Sequence, residues 1–455
     1  MTVRFDDSLP ALSRVIRTVL GNDALAAGTV LRDAAGRLTF FAAQRLDADS
    51  TDQLAQTLRD ALGGYARPDR VIADIDAPGS EAVRNDASAL WVHLGDIRIR
   101  LVDRRLVGAD WLRAPLPAVR TPSRFVFASL KGGVGRSTAL SVAAAHLAVV
   151  RGKRVLVVDL DMEAPGLGAL LLTTDTLPEF GVVDALVENG ISGLDDEFLA
   201  DLVGPSALAV RGRIDVIPAF GLRGVKNPGD ALAKLARAYV EDVAQDGTVA
   251  TIMDQVRALI DRFSDPGRYD VILIDARAGL HETTASAVLG LGAEVFLFGL
   301  DEEQTFQGYA AMFAHLARLA ANDSDPDWTQ RITMVHGKAP TDAAERMRFS
   351  LRCRSLFALL GPAAALPQDE NEAVQLPDGP FNAVPWDDSI TDEEALPPDW
   401  TSREPIVILQ NDQYLRFDPL RRPDLTTETI YLATFGDLLR RIEIAMNPDA
   451  KVEHH

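Results

Sequence analysis

The spacing of apolar residues along this chain changes character near residue 124. Ahead of that point, apolar positions recur at helical intervals in "SLPALSRVIRTVL" (8–20) and "TDQLAQTLRDALGGY" (51–65), which predicts two amphipathic helices. The stretch "TVLRDAAGRLTFFA" (29–42) predicts a hairpin, and "RVIADI" (70–75) and "IRIRLV" (97–102) predict strands. Together they predict a small N-terminal α/β domain over 1–119, and no chemical motif falls within it. "RAPLPAVRTPS" (113–123) reads as a linker, because each proline lacks an N–H donor and biases its predecessor toward extended backbone.

From 124 onward, short β-branched runs alternate with helical patterns. "FVFAS", "RVLVVDLD", "IDVIPA", "YDVILIDA", "AEVFLFGL" and "ITMVHG" are apolar runs that end in polar or small residues, and "NAVPWDD" is a later strand candidate. Parallel strands buried on both faces give such runs, with functional groups at their C-terminal ends. The expected fold class is therefore α/β, with a doubly wound, mostly parallel sheet occupying 120–455. Two insertions are expected in it. One, at about 173–268, is mostly helical; the other, at about 366–413, is acidic, proline-rich and read as loop.

Composition narrows the function classes. With 47% hydrophobic residues and only 6% aromatic ones, the chain matches a soluble α/β protein. A net charge of −20 argues against a surface that coats DNA, which needs clustered Lys and Arg. No apolar run reaches the roughly 18 residues that span a bilayer, and Cys353 is the single cysteine, so a reducing, cytoplasmic location is expected. The terminal "KVEHH" reads as a tag remnant and is set aside.

The candidate chemistry centres on "SLKGGVGRST" (129–138). Gly132, Gly133 and Gly135 follow a strand and precede a helix, where only glycine lets the backbone curl its N–H groups around a phosphate. The helix N-terminus adds its dipole. Ser137 is placed to ligate Mg²⁺ through its hydroxyl, and Arg136 to reach the β- and γ-phosphates. Asp159 and Asp161 end one predicted strand, and Asp275 ends another.

This loop resembles the deviant phosphate-binding loop of the ParA/MinD-like ATPases, differing from it at Arg136, where the family carries lysine. "RVLVVDLDMEAPGLG" is similar to the family's second strand and first switch, "YDVILIDARAGL" to its Walker B strand and second switch, and "VPWDD" to a late strand end near the base. The resemblance covers about 124–446. It implies a P-loop domain of the SIMIBI type with ATP and Mg²⁺ as cofactors, bound by Lys131, Gly132, Gly133, Val134, Gly135, Arg136, Ser137 and Thr138, with Pro385 near the base. It also implies that Lys131 crosses a nucleotide-sandwich dimer, that Asp161 orients the attacking water, and that Asp159 and Asp275 hold the metal shell. Arg136 keeps the positive charge but is larger and planar, so hydrolysis is expected to be slow.

The reading that results is an ATP-dependent homodimeric switch acting on an unidentified protein partner. Its rivals are a nucleotide sensor or scaffold that no longer hydrolyses, and a DNA-segregation ATPase using the arginines at 98–105 or 346–354. Those arginines are read as solvated, salt-bridged faces, and the last helix, "YLATFGDLLRRIEIAM", as core packing rather than a membrane-surface helix. His336 and Lys338, at another strand end, stand either near the base or in a surface loop.

Overall fold

The structure, a computed structural model, describes residues 3–94, 97–208, 211–243, 248–321, 327–360 and 403–447. The chain divides into two units. The first is Met1–Leu112 with Ala314–Pro326 and Ala358–Pro398, and the second is Arg113–Phe313, Asp327–Phe357 and Asp399–His455.

The first unit holds a five-stranded sheet of β1 (Thr29–Arg32), β2 (Leu38–Phe41), β3 (Ile72–Ala73), β4 (Leu90–Leu94) and β5 (Ile97–Asp103), in the order β3-β2-β1-β5-β4. The expected hairpin is β1 and β2, whose turn uses Gly36 at a φ of 87° while the Asp33 carboxylate accepts from the amides of Ala35 and Arg37. Helices Phe5–Leu20 and Ala48–Leu62 form as their apolar spacing predicts, contributing Leu12, Ile16, Leu54 and Leu58 to one core with Phe40 and Ile99. β4 pairs antiparallel with β5.

The second unit is built on an eight-stranded sheet. Its strands are β6 (Ser123–Ser129), β7 (Arg154–Asp159), β8 (Gly204–Pro205), β9 (Arg213–Ile217), β12 (Val271–Ala278), β13 (Glu294–Gly299), β14 (Ile332–Ala339) and β15 (Ile406–Leu409). A small separate ribbon pairs β10 (Asp242–Val243) with β11 (Val249–Ala250). The order in the large sheet is β15-β14-β13-β6-β12-β7-β9-β8, and every pairing is parallel except β8 with β9. This is the expected doubly wound, mostly parallel α/β sheet. The apolar runs are uninterrupted because the central strands are buried on both faces; β6 is buried from its second residue onward.

Chain order reverses around β6. The chain passes from β6 to β7 on one side of it, and later from β12 across to β13 on the other. Such a reversal opens a crevice at the carboxyl ends of the strands. The register brings the relevant ends level, Asp275 standing opposite both Phe127 of β6 and Asp159 of β7.

Two expectations are corrected. The 113–123 segment is not a free linker: the amide of Leu116 bonds the carbonyl of Leu289 at 2.7 Å and that of Val119 bonds Gly292 at 2.8 Å, so two of its donors are used within the second unit. The 366–413 stretch is not all loop, because Ile406–Leu409 is the edge strand next to β14, burying Ile406 and Ile408. The strand expected at "NAVPWDD" lies outside the described residues.

Candidate functional site

The loop that leaves β6 turns with Gly133 at a φ of 78° and Gly135 at 90°, the left-handed region that glycine enters without strain. Helix Arg136–Ala145 starts directly after it, with no side chain capping its first amides. Those free N–H groups and the helix dipole together make an anion-binding N-terminus. The small side chains of Ala139, Ala143, Ala144 and Ala145 let the helix lie close on the sheet, all of them buried. Val134 is buried as well, and a side chain on Gly337 of β14 would collide with its carbonyl, which explains the small residue there.

Three strand ends converge under the loop. The Ser137 hydroxyl donates to Oδ2 of Asp275 at 2.6 Å. Asp159 accepts amides from Asp161, Gly166 and Leu167 at 3.1, 3.2 and 3.1 Å, so it braces the loop that follows β7. Arg136 turns back into this group: its Nε donates to Asp275 Oδ1, its Nη1 to the Ser129 hydroxyl at 3.0 Å, and its Nη2 to Asp161 Oδ2 at 2.8 Å. Its side chain is 8% exposed. In this structure the guanidinium is thus bonded to carboxylates rather than projecting from the loop.

The electrostatics follow from that burial. Loss of water pushes the Asp159 carboxyl up to about 8, aided by the Asp275 charge and opposed by the amides of Asp161 and Leu167. Burial also raises Asp275, against the pull of Arg136 and the Ser137 hydroxyl. Burial works against the charge on Arg136, but Asp275 and Asp161 outweigh it and hold the guanidinium protonated.

A cavity of about 250 Å³ opens beside the loop. Loop residues Lys131, Gly132, Gly133, Val134, Gly135, Arg136, Ser137 and Thr138 line one side, and Lys338, Gln410, Asn411 and Tyr414 are on the other. Lys338 adopts a φ of 49°, the only positive value for a non-glycine among the described residues, and such strain concentrates at ligand sites. Gln410 and Asn411 follow β15 inside the 366–413 stretch expected to be loop, and Tyr414 stands just beyond it; none of the three is marked by a sequence motif. Pro385, expected near the base, lies outside the described residues. His336 is buried, stacked on Phe349 at 3.9 Å between centroids, and is not among the residues lining the cavity. Lys131 is half-exposed and pairs with Glu302 at 2.7 Å.

The donor set suits Mg²⁺ only in part from protein. Among the described residues, no group of three or more His, Cys, Asp or Glu side chains is arranged to hold a metal ion. Ser137 and Asp275 offer two adjacent hard oxygens, which fits an ion that takes its remaining ligands from phosphates and water.

The two arginine groups are engaged internally. Arg98 lies over Trp91, Arg100 bonds the carbonyls of Arg84 and Asp86, and Arg104 and Arg105 pair with Asp86 and Asp103. In the second group Arg346 bonds the carbonyls of Pro340 and Thr341, Arg348 and Arg352 pair with Asp301, and Arg354 pairs with Glu404. The last helix, Glu428–Met446, buries Tyr431, Phe435, Leu438 and Ile442 in the core, as expected. Among the described residues no helix is long and apolar enough to cross a membrane.

A parallel sheet, a glycine loop between its central strand and a helix, and acidic strand ends beside that loop define the P-loop nucleoside-triphosphatase fold. No protein-family model matches the chain, and a search of curated proteins finds no match. Solved structures similar to it include the ParA family ATPase from Chlorobium tepidum TLS, 15% identical over 71% of this chain and 99% of that one, with a TM-score of 0.40. The MinD cell division protein of Aquifex aeolicus is 13% identical over 70% and 96%, also at 0.40. Cobyrinic acid a,c-diamide synthase from Mycobacterium smegmatis, with bound ADP and magnesium, is 18% identical over 51% and 81%, at 0.36.

Proposed function

We propose that this chain is an ATP-binding, slowly ATP-hydrolysing molecular switch that dimerises around Mg-ATP to control a partner. One observation carries the reading: Ser137 is bonded to Asp275, level with Asp159 and beside Asp161, under a loop whose glycines free its amides for an anion. The loop amides and the helix N-terminus receive the phosphates, and Ser137 and Asp275 hold Mg²⁺, which when bound neutralises phosphate charge. Asp161 orients the attacking water, Asp159 keeps the loop after β7 in place, and the half-exposed Lys131 reaches the partner copy's phosphates.

The Arg136–Asp161 ion pair favours a second reading, a nucleotide sensor that binds without turnover, because a carboxylate held by a buried guanidinium is withdrawn from water. Single-turnover phosphate release from wild type, Asp161→Ala and Arg136→Lys separates the two. The switch expects release from wild type above the Asp161→Ala background. Wild type at that background, while binding Mg-AMPPNP, replaces the switch with the sensor.

A further inference from the structure

Outside the inner carboxylates lies a second charge pair, Arg277 with Glu163. Arg277 is two residues beyond Asp275 on β12, and Glu163 is two residues beyond Asp161 in the loop that leaves β7. Arg277 Nη1 lies 2.7 Å from Glu163 Oε1, and both side chains are 28% exposed. The same Glu163 oxygen accepts the hydroxyl of Tyr239, which follows the inserted helix Ala231–Ala238. That helix is itself held by the Lys234–Asp184 ion pair.

The backbone places Arg277 at the root of the phosphate loop. Its neighbour Ala278 is level with Ser129, and the amide of Gly279 donates to the Ser129 carbonyl at 2.9 Å. Two guanidiniums therefore bridge β12 and the loop after β7. The inner one, Arg136 with Asp161 and Asp275, is buried; the outer one, Arg277 with Glu163, is open to water on one side. The inner guanidinium is committed to both aspartates, while the outer one has the exposure to move.

We propose that Arg277 is a binding residue for the terminal phosphate of a nucleoside triphosphate, held in reserve by Glu163 and Tyr239 until that phosphate competes for it. A planar guanidinium matches two phosphate oxygens as well as it matches a carboxylate. The pair thus makes the site discriminate triphosphate from diphosphate, since only the longer ligand carries the charge that draws Arg277 from Glu163. This assignment rests on the nucleotide-binding reading.

The test is calorimetry of the full chain with Mg-AMPPNP and with Mg-ADP. Wild type is expected to prefer the triphosphate analogue. Arg277→Ala is expected to lose about tenfold in AMPPNP affinity, the worth of a charged hydrogen bond, with ADP affinity unchanged and with partial recovery in Arg277→Lys. Glu163→Gln, which keeps the side chain's shape and removes its charge, is expected to raise AMPPNP affinity and provides the measurement if Arg277→Ala fails to fold. An unchanged AMPPNP-to-ADP ratio in Arg277→Ala, or no gain in Glu163→Gln, overturns the assignment and leaves a structural ion pair. Wild type binding neither nucleotide refutes the nucleotide-binding reading itself, and the assignment falls with it.

Discussion

Arg136 Nη2 lies 2.8 Å from Asp161 Oδ2, and Nε of the same guanidinium donates to Asp275. Lysine has one compact ammonium on a flexible stem and does not reproduce this fork, which also reaches Ser129. The arginine therefore clamps β6, β12 and the loop after β7 together. Arg136→Ala is expected to cost about 3 kcal/mol of stability, because it strands buried carboxylates, and Arg136→Lys about half of that. Urea denaturation of the three proteins checks the order. A wild-type-like midpoint in Arg136→Ala rules out the clamp.

Lys131 pairs with Glu302 at 2.7 Å while both are half-exposed, a contact weak enough to exchange for a partner's phosphate. Mg-AMPPNP is expected to shift the chain toward a dimer, Lys131→Ala to abolish the shift, and nucleotide affinity to stay largely intact in the mutant. Light scattering with and without nucleotide measures it. A monomer at saturating nucleotide counts against the sandwich dimer.

Tyr414, which lines the cavity beside the loop, donates its hydroxyl to the carbonyl of Leu425 and packs edge-on against Phe435. If this wall receives the base, Tyr414→Ala weakens Mg-AMPPNP about tenfold, the scale of base stacking on an aromatic ring. Affinity for inorganic tripolyphosphate, which has no base, is expected to stay the same. Equal losses for both ligands assign Tyr414 to packing alone.

Burial lowers the His336 imidazole from its ordinary 6.5 to about 4, and its Nδ1 has no hydrogen-bond partner among the described residues. The unfolded chain takes up a proton below about pH 6.5 that the folded chain refuses until about pH 4. Unfolding therefore binds protons in this window. Stability is fully present above it and is lost as pH falls through it, by at most about 3 kcal/mol at the acid end. His336→Phe, which can still stack on Phe349, is expected to flatten this part of the melting-temperature profile between pH 4 and 6.5. An unchanged slope assigns the acid sensitivity to other groups.

Local pattern carried much of the fold. The runs that became β6, β7, β12, β13 and β14 were legible because parallel strands buried on both faces are apolar, and Gly133 and Gly135 because the left-handed backbone of a tight turn favours glycine. β15 was not, since four residues next to an acidic, proline-rich stretch carry too little pattern to separate strand from loop. Gln410, Asn411 and Tyr414 were lost with it. The segment 113–123 misled for a related reason: its prolines signal extended chain, and extended chain can also lie along a domain and use its remaining amides there.

By itself, the sequence determined that a strand, a glycine loop and a helix with Ser137 follow one another, and that Asp159 and Asp275 belong to two further strands, because each of these is written in neighbouring residues; β12 runs on past Asp275 to Ala278. Only the tertiary structure decided where Arg136 points, that Asp159 braces the loop holding Asp161, and that Arg277 meets Glu163. Those contacts join residues far apart in the chain, and a guanidinium on a long side chain reaches several directions equally well until the sheet order and strand register set carboxylates in one of them.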